Sequence, residues 1–136
     1  MASFTKFQPF VEKLAEKAFN LGSDSLKIAL CASANAPVAA NGVLADLTQI
    51  SYTNLSSRDV TITSSSQTSG TYSLVLQDLT LTASGGAVAA FRYVVLYDDT
   101  AASDELIGFW DYGSSLTLAD GESLTLDFAS STIQLA

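Results

Sequence analysis

The stretch that most constrains this chain is residues 91–112, FRYVVLYDDTAASDELIGFWDY, where apolar and aromatic residues alternate on either side of an acidic turn. The period of two predicts a β-hairpin. Phe91, Tyr93, Val95 and Tyr97 fall on one face of its first arm, and Arg92, Val94 and Leu96 on the other. The second arm sets Leu106, Gly108, Trp110 and Tyr112 against Ile107, Phe109 and Asp111. Both faces are largely apolar, so water must be kept from both. The hairpin is expected to be the middle of a sandwich or an interaction surface.

A chain of 136 residues is expected to form one domain that buries roughly two thirds of its unfolded surface. No stretch approaches the ~20 apolar residues that span a bilayer, so no membrane partner is expected. The opening MASFTKFQPF lacks the apolar core of a signal peptide, and synthesis in a cytoplasm is expected. Cys31 is the only cysteine and histidine is absent, which removes an internal disulfide, the usual zinc ligands and the commonest general base. The expectation is a protein with no catalytic residues, no cofactor and no metal. Residues 1–27 carry four lysines against three carboxylates, whereas the remainder has two arginines against eleven, a net of −9. An acidic body repels phosphate backbones, so nucleic acid is not an expected partner.

The strongest helical pattern lies at the start. Phe4, Phe7, Val11, Leu14, Ala18 and Leu21 recur at three- and four-residue spacing, and Phe10, Ala15 and Phe19 widen the stripe. Thr5 and Gln8 have the spacing of a capping box, Pro9 would cost a bond in a helix interior, and Gly22 suits a left-handed cap. These signals predict an amphipathic helix within residues 1–22, regular from about Gln8, followed by a β-domain over 26–136. Leu26, Ile28 and Leu30 mark a first strand that places Cys31 inside a β-element, as a small core side chain. Residues 43–50 read as a short strand or a helical turn, and 51–59 as a polar loop. Val60 and Ile62 begin a strand ended by a turn-rich SSSQTSG. Further strands are expected at 72–76, 79–82, 116–118, 124–128 and 133–135, with 119–122 closing a hairpin between 116–118 and 124–128. About eight strands after one helix argue for a mainly β fold, an antiparallel sandwich of jelly-roll type.

Two groups of side chains invite a chemical reading. Asp98, Asp99, Asp104 and Glu105 supply carboxylates for calcium, or are the solvated acids of a hairpin tip. Tyr93, Tyr97, Trp110 and Tyr112 form a sugar-stacking face, or ordinary core and cross-strand pairs. The second reading is preferred in each case.

The segments FVEKLAEKAFNLGSDSLKIAL, NAPVAANGVLADLTQIS, SSSQTSGTYSLVLQDLTLTASGG and the hairpin with its sequel GSSLTLADGESLTLDF resemble, in that order, small virion structural proteins of tailed double-stranded DNA bacteriophages. The likeness spans nearly the whole chain. It implies a capsid decoration or cement protein on the surface of the virion, bound to the major capsid protein or other virion proteins and self-associated as a dimer or trimer. A tail, neck or fibre-base component, or a carbohydrate-binding module, are the alternatives. Under this reading Phe4, Phe7, Val11, Leu14, Phe19, Tyr97 and Tyr112 are the expected partner contacts.

Overall fold

The computed structural model of the chain describes residues 3–128 and 132–135. The outermost positions of the expected helix and sandwich, 1, 2 and 136, lie outside it, as do 129–131. The fold is mainly β, with antiparallel sheets and one short helix near the N-terminus. The elements in chain order are β1 (Phe4–Lys6), α1 (Gln8–Ala15), β2 (Leu26–Cys31), a 3-10 turn (Leu44–Asp46), β3 (Asp59–Val60), β4 (Ile62–Thr68), β5 (Thr71–Leu76), β6 (Leu79–Thr82), β7 (Phe91–Asp98), β8 (Leu106–Leu116), β9 (Ser123–Leu126) and β10 (Ile133–Leu135). One sheet runs β1-β8-β7-β2-β3. Opposite it lie a three-stranded sheet, β10-β5-β4, and a two-stranded ribbon, β6-β9.

The β7–β8 hairpin is the centre of the larger sheet, and its register shows how each face is covered. Val94 lies opposite Trp110, Leu96 opposite Gly108, and Ile28 and Leu30 of β2 stand beside Leu96 and Val94. This face meets the second layer. Trp110 packs on Phe128, ring centroids 5.2 Å apart, and on Phe4 at 4.9 Å. Leu74, Leu76, Leu81, Leu126 and Ile133 belong to the same buried cluster. The other face carries Tyr93, Val95 and Phe109, with Ala29 and Cys31 alongside. Phe7 covers Phe109 at 5.1 Å, and Tyr52 lies by Cys31 and Tyr97 under the Arg58 guanidinium, 3.7 Å above its ring.

The long connection between β2 and β3 is therefore a lid on the second face. Where β3 no longer pairs with β2, Ile50 donates to the Leu30 carbonyl at 3.0 Å and the Leu30 amide donates to Tyr52 Oη at 2.9 Å. Arg58 donates from Nη1 to the Ile28 carbonyl at 2.7 Å. These bonds occupy a strand edge that would otherwise stay open. At its far end the lid pairs Val43 with Glu105, and the Asp46 carboxylate accepts the amides of Gly42 and Val43, which holds it below the usual carboxylate range.

Several sequence expectations are corrected. The helix ends at Ala15, not at Gly22. Lys17 adopts φ 71° and the Ala18 amide donates to the Lys13 carbonyl, so a Schellman closure forms on lysine where glycine would have announced it. Residues 4–6 are a strand on the edge of β8, and no side chain caps α1, whose N-cap is Phe7. Thr5 is thus not the first half of a capping box. Residues 64–68 continue β4, and only Ser69 (φ 51°) and Gly70 (φ 85°) turn, the paired positive φ values of a two-residue type I′ hairpin. Finally, β9 pairs with β6, Leu81 opposite Leu124, and not with the strand before it. The 119–122 turn makes a crossing between layers, with Gly121 at φ 86°.

Gly108 marks the tightest approach in the large sheet. A Cβ there would drive into the Phe4 ring and come within 2.8 Å of the Thr5 carbonyl oxygen, part of the backbone of β1. Gly108→Ala should lose about 2–3 kcal/mol in a urea titration. Gly70→Ala, which meets nothing but needs a left-handed residue, should lose only about 1 kcal/mol.

Candidate functional site

Two adjoining concavities lie where α1, β1 and β10 meet. A groove of about 530 Å³ runs between the outer edges of β1 and β10, floored by Phe4, Phe10 and Ile133 and flanked by Val11 and Leu135. Val11 is 53% exposed and Leu135 46%, two of the three large hydrophobic side chains most open to solvent among the described residues. The third, Val38, lies elsewhere. Leu14 and Leu135 also line a second cavity, of about 810 Å³, under the chain that joins α1 to β2.

The seven expected contact residues divide between surface and core. Val11, Leu14 and Phe4 come together around the groove, Val11 exposed and the other two half-buried. Phe7, Phe19 and Tyr97 lie in the core, where the first two hold α1 and its sequel against the sheet. Tyr112 is half-buried on β8, apart from the groove, and burial raises its phenol above the ordinary range. Leu135 and Ile133 were the groove residues that pattern alone did not mark, because their alternation reads equally well as a strand with a buried side.

The aromatic face has no exposed platform. Trp110 is 5% exposed, and Tyr93 and Tyr97 are buried with it, so a sugar ring cannot reach these side chains. Cys31 is fully buried, and that burial pushes its thiol up to about 11, with no base beside it.

The acidic turn is not a uniformly solvated tip. Asp99 is exposed, but Asp98 is fully buried and Glu105 nearly so. The Asp98 amide donates to the Glu105 carbonyl at 2.9 Å, which places the two residues opposite each other across the hairpin. Asp98 Oδ1 accepts the amides of Thr100 and Ala101 at 2.9 and 3.1 Å. Asp24 reaches this corner from the α1–β2 connection, anchored there because Asp99 donates to the Ser25 carbonyl and Ser25 to Thr100 Oγ1, each at 2.8 Å. Asp98 Oδ2 and Glu105 Oε2 are buried without a hydrogen-bond partner. Burial, and then the neighbouring Asp24 carboxyl, push Asp98 up to about 7. Among the described residues no three acidic or thiol side chains are arranged to hold a metal ion.

Comparison with protein-family models, with curated proteins and with solved structures finds no match to this chain.

The pH dependence of Asp98 has a definite sign. Its folded-state value lies above the ordinary one near 4, so between the two the folded chain keeps a proton that the unfolded chain has released. The resulting stability is full below about pH 4 and is lost as pH rises through about 7, a loss of no more than ~4 kcal/mol. Asp98→Asn, which keeps an acceptor for the Thr100 and Ala101 amides, should stabilise the chain by about 1–3 kcal/mol at pH 8. At pH 4 it should be nearly neutral in paired urea titrations.

Proposed function

We propose that the protein is a non-enzymatic structural component of a bacteriophage virion that docks on the assembled capsid lattice as a decoration protein. The reading joins the ordered resemblance of the sequence segments to one observation, the groove bounded by two strand edges that are unpaired among the described residues and by the exposed side chains of Val11 and Leu135. A strand edge offers a partner a row of amides and carbonyls, and the neighbouring apolar side chains supply area to bury. In this reading the major capsid protein or another virion protein occupies the groove, and a dimer or trimer presents several grooves to the lattice at once. A protein that binds the shell only after assembly stabilises it by mass action. The acidic body disfavours a nucleic-acid partner.

Deleting the N-terminal segment would not test this, because Phe7, Phe10, Phe19 and Leu21 are core residues. Point changes at exposed positions do. Val11→Glu combined with Leu135→Glu should leave the melting temperature within a few degrees and reduce occupancy on shells of the encoding phage more than tenfold. That follows from losing burial worth about 1.5–3 kcal/mol for each side chain. Full occupancy by the double variant in a co-sedimentation assay would exclude the groove as the docking site.

A further inference from the structure

The 810 Å³ cavity beside the groove has walls of one character and a floor of another. Leu14, Ala18, Phe19, Leu21 and Leu135 form apolar walls, and the hairpin tip closes the far side. Its acidic residues are Asp24 and Glu105. Glu105 is 8% exposed, and its Oε2 has no partner. Glu105 thus lines the cavity with a carboxyl group that lacks a matching donor at Oε2, and a cationic donor placed beside that carboxyl would make the strongest hydrogen bond available there. Among the described residues no cation pairs with Glu105; Lys27 pairs with Asp59 and Asp99, and Arg92 with Asp111. Lys17 lines the cavity and makes no ion pair among the described residues.

We infer that this cavity is a receptor for an alkylammonium group, the head and unbranched stem of a lysine side chain presented by the docking partner. The stem matches the apolar walls, since a four-carbon chain buries readily while its head seeks an acceptor. The head meets Glu105, with Asp24 as the second carboxylate of the floor. Cavity and groove share Leu14 and Leu135, so a chain lying in the groove can place such a side chain in the cavity. The assignment of the lysine to a partner rests on the docking reading above; the chemistry of the cavity does not.

The test uses n-butylammonium chloride as the probe and n-butanol as its neutral counterpart, titrated into the labelled full chain and followed by amide chemical shifts. Saturable shifts at Phe19, Leu21 and Glu105, at least tenfold weaker with the alcohol, are expected. Glu105→Gln should weaken the amine at least tenfold and Asp24→Asn at least threefold, with each variant's melting temperature showing that it is folded. Equal binding of amine and alcohol, or an amine affinity unchanged by Glu105→Gln, would overturn the proposal. So would a Lys17→Met variant that binds the probe more than tenfold more tightly, because Lys17 would then be the natural occupant. The probe requires no shell, so a failure here is distinct from a failure of the groove variants on particles.

Discussion

The structure depends on one requirement, that the β7–β8 hairpin be kept from water on both faces. An antiparallel sheet usually offers one apolar face to a core and one polar face to solvent. Here Val94, Leu96 and Trp110 fill one face while Tyr93, Val95 and Phe109 fill the other. A second layer of strands covers the first. The second is covered by Phe7 and by a connection with almost no regular structure, fastened through Ile50, Tyr52 and Arg58 to the edge of β2. An irregular segment can lie over a buried face because its polar groups bond to the sheet edge beside it.

That solution determines what remains for partners. Much of the N-terminal apolar stripe is consumed by the chain's own core, and α1 is short because Lys17 closes it in a left-handed conformation. What stays exposed is the Val11 side of the helix and the facing edge at Leu135. The same N-terminal region, continued past the helix, brings Asp24 under the hairpin tip and produces an acidic corner with two unpartnered carboxylate oxygens, of Asp98 and Glu105. Surface groove and buried acid are thus two results of one packing arrangement.

Alternation made β2, the two arms of the central hairpin and β10 legible, because their inward residues are spaced by two and bounded by turn formers. Strand partners were not legible, since a pattern of faces carries no information about neighbours. The turn at 119–122 has the form of a hairpin loop, yet β9 crosses to pair with β6. The serine-rich β4 was hidden by its composition, as its polar side chains suit an edge strand as well as a turn. The buried acids were hidden for a related reason. Asp98 and Asp99 are identical in sequence terms, and only the approach of residues 24–25 from far along the chain buries one and leaves the other outside.

Because the chain covers its own hairpin, the docking proposed above falls to the groove and not to the sheet. Amide hydrogen exchange on the isolated chain tests this most directly. The amides of Leu30 and Ile50, bonded between lid and β2, and of Leu44, which donates to the Asp104 carbonyl in the turn of the hairpin, should exchange at least a hundredfold more slowly than an unstructured peptide and respond to denaturant together with β7. Exchange of Leu44 and Ile50 at unprotected rates, while β7 and β8 stay protected, would show instead that the second face of the sheet is open in the free protein.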